Sequence, residues 1–189
     1  MGNRNPLRGH LIKAWHETLM HAYCEQLINT ERGLQVHFCM ALLPLLEKHG
    51  PRKLFVEPHV RVGKGVCIPD LVICNNRQVI GIVELKYKPR AKATKALYDK
   101  DVGTLKALMT PRDDEEEVVI ENKRYLGAGK GGKAYTIAKD AVLCWAGVYR
   151  GTEAWDVFAS IGAEDRKRFL ALHGLTRPDG GPTSVPPGA

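Results

Sequence analysis

The sequence predicts an α/β fold, a mixed central β-sheet flanked by helices, and three observations carry that prediction. Two apolar runs, 68–74 and 79–86, flank a polar turn, Asn75-Asn76-Arg77. This is a hairpin signature, because Asn tolerates left-handed backbone. Stretches with apolar residues at helical spacing lie before and after the hairpin. A further run, 141–149, is apolar enough to be buried on both faces, as strands of a helix-covered sheet are.

The elements follow in order. Apolar residues recur at helical spacing from His10 to Asn29, which predicts a helical extension over 1–29. His10, His16 and His21 have no HExxH arrangement and are expected to be solvated or capping. Asn29 or Thr30 can cap a second helix, with Glu31 in its first turn, where the helix dipole favours an anion. Leu34, Phe38, Ala41, Leu42, Leu45 and Leu46 form its buried stripe. Pro44 is expected to kink it, and His49-Gly50-Pro51 to end it. Residues 53–62 read as one strand interrupted by Pro58, an edge or bulge signal. After the hairpin, Lys88-Pro89-Arg90 breaks the second run, and 91–109 reads as a helix stopped by Thr110-Pro111. An acidic run, 113–117, is expected to be a solvated loop, and Val118-Val119-Ile120 a short strand. Residues 121–133 form a glycine-rich basic loop, 155–161 is ambiguous between strand and helix, and 163–173 reads as a terminal helix. The Pro- and Gly-rich end, 177–189, is expected to be disordered. The main domain is therefore assigned to 30–176.

A chain of 189 residues is long enough to bury roughly two-thirds of its unfolded surface. Its 44% hydrophobic and 26% charged content are those of a soluble globule. The net charge of +7 suits a polyanionic partner. Five scattered cysteines without a CxxC pair point to reduced thiols and away from zinc. With no apolar run near bilayer length and no signal-peptide pattern, a cytoplasmic protein without membrane contact is expected.

Residues 127–133 fit GxxxxGK, but Ala134 follows where a P-loop needs Ser or Thr, and Tyr135-Thr136-Ile137 looks like a strand where a P-loop needs a helix. A basic loop that touches phosphates through Lys123, Arg124, Lys130 and Lys133 fits better.

The hairpin carries the chemistry. With Asn76 and Arg77 at the turn, position 75 pairs with 78, 70 with 83 and 69 with 84. Asp70 and Glu84 then become diagonal neighbours, about 5–8 Å apart at Cβ. Alternation puts Ile80, Ile82, Glu84 and Lys86 on one face and Val79, Val83, Leu85 and Tyr87 on the other. Both faces are apolar up to the tip, so an interior strand presents two charges abruptly. Two acids so close are tolerable around a divalent cation, and an oxygen-rich site suits Mg²⁺.

Pro69-Asp70 and Glu84-Leu85-Lys86, with a preceding helix that begins at Glu31, resemble the PD-(D/E)xK, or restriction-endonuclease-like, nuclease superfamily. The resemblance covers roughly residues 30 to 150 as helix, three strands, helix, strand. It implies an αβββαβ core and a nuclease that hydrolyses phosphodiester bonds, DNA more than RNA. It also implies Asp70 and Glu84 as ligands of Mg²⁺ (or Mn²⁺ in its place), with the Leu85 carbonyl assisting, and Lys86 positioning or deprotonating the attacking water. Glu31 would bind metal or water from the opposite side. Members often carry a further polar residue on the following helix, for which Lys95, Asp99 and Lys106 are candidates. Lys88 and Arg90 would hold adjacent phosphates. Cutting both strands of a duplex with one site per chain calls for a homodimer, and the sequence marks no surface for one. The rival functions are a non-catalytic nucleic-acid-binding module with the same fold, and a protein-interaction subunit docking through 10–29.

Overall fold

A computed structural model describes residues 6–63, 65–92, 94–109, 118–121, 132–177 and 180–185. Helix α1 spans Pro6–Glu17 and runs on into a π-helical turn, Thr18–Tyr23. The Thr18 hydroxyl donates to the Ala14 carbonyl at that junction, 2.7 Å away. Helix α2 spans Glu31–Glu47. Its N-cap is Thr30, in extended backbone, whose hydroxyl accepts from the Gly33 amide at 2.9 Å. The helix runs through Pro44.

The expected single strand over 53–62 is two strands, β1 (Lys53–Val56) and β2 (His59–Val62). Glu57 takes a positive φ of 46° between them, and Pro58 lacks an amide donor, so the chain turns away there. Then follow β3 (Gly65–Cys67), β4 (Leu71–Cys74), β5 (Gln78–Lys92), α3 (Lys95–Met109), β6 (Val118–Glu121), β7 (Lys133–Arg150), α4 (Ala163–Arg166), β8 (Phe169–Arg177) and β9 (Gly180–Val185).

Two sequence-based expectations fail near the end of the chain. The terminal helix expected over 163–173 is one helical turn followed by a strand. The run Phe169-Leu170-Ala171-Leu172-His173-Gly174-Leu175 is buried almost throughout, and a short run apolar on every side has no period that separates helix from strand. Within the tail expected to be disordered, Gly180–Val185 pairs antiparallel with β8. Unsatisfied backbone groups on the edge of β8 accept a partner strand whatever its composition.

Among the described residues the strands form one nine-stranded sheet. Its centre is β1-β4-β5-β7: β1 and β4 are antiparallel, β4 and β5 antiparallel, β5 and β7 parallel. The architecture is thus mixed α/β with helices on the sheet's faces. The long β7 forks the sheet. Its first residues pair antiparallel with β6, which leads to β2 and β3, and its second half pairs parallel with β8.

Each face of the centre has its own core. Leu7, Leu11, Trp15 and Leu19 from the N-terminal helix and Leu34, Phe38 and Leu42 from α2 pack with Leu71, Ile73, Val83 and Leu85. The N-terminal helical segment is therefore part of the core, not an appendage. Tyr98, Val102 and Leu105 of α3 pack with Val72, Val79, Ile82 and Trp145 on the other face. Each fully buried apolar side chain of this size is worth about 1.5–3 kcal/mol.

Gly147 is required by close approach. A Cβ there would lie 2.2 Å from the indole of Trp145, two residues earlier on the same face. Gly147→Ala is expected to lower stability by about 1–3 kcal/mol through overpacking and to change Trp fluorescence in the native state. Denaturant unfolding indistinguishable from that of the unaltered chain would contradict this packing.

Candidate functional site

The β4–β5 hairpin positions the site. Its turn is as the sequence predicts: the Asn75 amide donates to the Gln78 carbonyl at 2.9 Å. The Asn75 side-chain oxygen accepts from the Arg77 and Gln78 amides at 2.8 and 2.7 Å. Next to the turn, Cys74 faces Val79; beyond it, Ile73 faces Gly81 and Leu71 faces Val83. Ile80 is therefore an extra residue, a β-bulge. The bulge advances the register by one, so continuing it sets Asp70 directly opposite Glu84, where unbroken pairing made them diagonal. It also moves Ile80 to the face of Val83 and Leu85, leaving Val79 with Ile82. Past the bulge the expected alternation of Ile82 and Glu84 against Val83 and Leu85 holds.

Asp70 lies just before β4. One of its carboxylate oxygens, Oδ2, accepts the Leu85 amide at 2.6 Å, taking the place a backbone carbonyl would have further along the hairpin. Its own carbonyl accepts from the Glu57 amide at 2.9 Å and from Gln35 Nε2 at 3.3 Å. Gln35 is buried one helical turn after Glu31. Burial pushes the Asp70 carboxyl above its ordinary value and the Leu85 hydrogen bond opposes it, while Glu31 and Asp101 raise it further and Lys86 lowers it.

Glu84 is 6% exposed, and its Oε1 is buried without a hydrogen-bond partner. Burial, then the charges of Asp70 and Asp101, push its carboxyl up to about 9, against the pull of Lys86. A buried carboxylate with an unsatisfied oxygen costs stability unless a proton or a cation neutralises it.

Lys86 Nζ lies 3.2 Å from Asp101 Oδ2 and 3.6 Å from Glu31 Oε2. Burial disfavours its charge, but Asp101 and Glu31 outweigh burial and hold it above the usual lysine value. Asp101 is 6% exposed and also accepts from Trp145 Nε1 at 3.4 Å. Glu84 stands beside Trp145 and Lys86 beside Gly147 in the β5–β7 register. The absent side chain of Gly147 thus leaves space beside Lys86 for the indole that reaches Asp101. Glu31 Oε2 also accepts the Tyr87 amide at 3.0 Å, and the Tyr87 hydroxyl donates to the Ile28 carbonyl at 2.7 Å. The start of α2 is therefore fastened to β5 beside the charged residues.

The fold gathers Asp70, Glu84, Lys86 and Glu31 in one network. Leu85 contributes its amide, which is bound to Asp70. Lys88 and Arg90 are exposed on the continuation of β5. Lys133 lies apart from this network. Its Nζ lies 3.4 Å from the Asn76 carbonyl and 5.0 Å from the Tyr135 ring centroid, at the hairpin turn. The cause is topological: β7 runs parallel to β5, so its first residues lie at the start of β5 while Glu84 lies midway along it. Lys123, Arg124 and Lys130 are outside the described residues.

The residue of α3 that joins the network is Asp101, where the sequence reading named Lys95, Asp99 and Lys106. Asp99 and Lys95 are exposed, and Lys106 reaches Ser160 Oγ at 2.8 Å. The signal was available: Asp101 falls within the apolar stripe Tyr98, Val102, Leu105, where a solvated acid does not belong. Trp145 and Gln35 gave no comparable signal.

Among the described residues no group of three or more His, Cys, Asp or Glu side chains is arranged to hold a metal. Lys86 lies between Glu31 and Asp101, and the Leu85 amide engages Asp70. The orphaned Oε1 of Glu84 opposite Asp70 nonetheless fits a divalent cation, which would relieve both the desolvation and the repulsion. Comparisons with protein families, curated proteins and solved structures return no match for this chain.

The Glu84 shift has a definite sign. A native carboxyl near 9 keeps a proton that the unfolded chain releases above about 4.5, so its contribution to stability is complete at low pH and is lost as pH rises toward 9. Glu84→Gln, which fixes the neutral form, is expected to gain stability relative to the unaltered chain between pH 5 and pH 9, measured by denaturant unfolding across that range. Parallel pH profiles for the two proteins would contradict the assignment.

Proposed function

We propose that this chain is a metal-dependent nuclease that hydrolyses phosphodiester bonds, with DNA its substrate in preference to RNA. One observation carries the reading: a buried acid with an unsatisfied oxygen, Glu84, faces Asp70 at a strand end, and a charged lysine two residues on is braced by two further acids. The order α2, β1, β4, β5, α3, β7, with the first three strands antiparallel and the last parallel, supports the PD-(D/E)xK resemblance. In that reading β2 and β3 are an insertion between the first two core strands.

Asp70 and Glu84 would hold Mg²⁺ or Mn²⁺, with Glu31 and the Leu85 carbonyl as further ligand candidates. When bound, such a cation polarises a phosphoryl oxygen and lowers the pKa of water. Lys86 keeps its charge and offsets the negative charge that develops on the phosphorane, while orienting the attacking water. Asp101 acts through Lys86 and is a positioning residue. Lys88 and Arg90 are exposed on the strand that leaves the site and hold flanking phosphates.

The second reading, a non-catalytic nucleic-acid-binding module, rests on the absence of a three-carboxylate cluster among the described residues. It would show as binding unchanged by Asp70→Ala or by divalent cations, without cleavage.

Purified protein is expected to cleave DNA only with Mg²⁺ or Mn²⁺, and Glu84→Ala and Lys86→Ala are each expected to lower kcat at least about 100-fold. Asp101→Asn is expected to retain cleavage at about a tenth to a hundredth of the rate, with the basic limb of the pH–rate profile moved to lower pH as Lys86 loses its partner. Cleavage that survives Glu84→Ala or chelation would overturn the reading.

A further inference from the structure

At the opposite end of the sheet, about 20 Å from Glu84 along β5, the hairpin turn borders a cavity of about 800 Å³. His49, Arg52, Asn75, Arg77, Thr136 and Asp140 are on its wall. We propose that this cavity is an anion site that takes a phosphate group. Its wall is drawn from separate segments: Pro6 of α1, His49 just after α2, Arg52 in the lead into β1, Arg77 of the hairpin turn and Thr136 of β7. The His10 and His49 rings are 4.7 Å apart, and Arg52 Nη1 is 3.5 Å from His10 Nδ1.

Arg52 and Arg77 bring like charges to this cavity from two segments, and like charges repel one another. Among the described residues, none of His10, His49, Arg52 and Arg77 forms an ion pair. Burial and then the charges of His49, Arg52 and Lys48 hold the His10 ring below its ordinary pKa, and burial lowers Arg52 as well. The C-terminal dipole of α2 accounts for Lys48 and His49, but Arg52, Arg77 and His10 come from elsewhere in the chain. An anion is the group that turns this repulsion into attraction. Guanidiniums suit phosphate oxygens, and Thr136, Asn75 and Asn76 on the same wall add neutral donors. Asp140 is the acidic residue on the wall, which favours a single phosphate over a long polyanionic track.

The site shares no residue with the Asp70–Glu84 network, so neither proposal stands on the other. Its test is NMR of the His10 and His49 rings in the full chain, titrated with inorganic phosphate at constant ionic strength. Saturable shifts of both rings are expected, with the dissociation constant raised about tenfold in Arg52→Gln and in Arg77→Gln. Arg52 is partly exposed and Arg77 exposed, and folding is checked from the remaining resonances. Repeating the titration with a short DNA oligonucleotide separates the sources. Competition by DNA against inorganic phosphate assigns the site to a nucleic-acid phosphate, and phosphate binding without such competition assigns it to a free phosphorylated molecule. Absence of saturable shifts, or equal shifts in both variants, would overturn the proposal.

Discussion

The placement of Asp70 opposite Glu84 is the constraint on which the rest of the candidate site depends. It comes from a bulge of one residue. Without Ile80 as the extra residue, the hairpin would set the two acids diagonally. With it, one acid closes the end of the hairpin by accepting the Leu85 amide, and the other is left buried with an oxygen that nothing satisfies. The burial that makes Glu84 expensive comes from the two cores on either side of the sheet. The same packing that stabilises the fold therefore concentrates electrostatic tension at one strand end.

That tension is shared across the sheet. Lys86 reaches Glu31 of α2, whose helix packs on one face, and Asp101 of α3, whose helix packs on the other. A single ammonium thus ties the two helical layers to the central strand. Trp145 supports it indirectly, since its indole lies over Gly147 and donates to Asp101. The network holds the lysine charged and fixed, the state the proposed chemistry needs. At the other end of β5 the balance is reversed, with cations gathered around a cavity. The β4–β5 hairpin thus carries an acidic cluster at its open end and a basic one at its turn.

Much of this was legible in the sequence. The turn residues Asn75 to Arg77 set the hairpin, Asn29 or Thr30 marked the start of α2, and the Pro-Asp and Glu-x-Lys pairs stood at matching strand ends. The bulge was not legible, because Ile80 sits in a run where every neighbour is also apolar and no period is broken. The strand over Phe169–Arg177 was mistaken for a helix for the same reason. Asp101 interrupts an apolar stripe, but a helix with several other polar residues, Lys95, Asp99 and Lys106 among them, does not mark in its sequence which one turns to the sheet. The place of Lys133 beside the hairpin turn was not legible either, because sequence distance says nothing about which part of a parallel neighbour a residue meets.

The central claim is that Asp70 and Glu84 form a cation site. It is tested most directly by a crystal structure of the chain soaked in Mn²⁺, using the metal's anomalous scattering. A peak is expected between the two carboxylates, in contact with Glu84 Oε1 and lost in Glu84→Gln. A well-ordered structure at saturating Mn²⁺ with no peak there, or with the peak unchanged in Glu84→Gln, would contradict it.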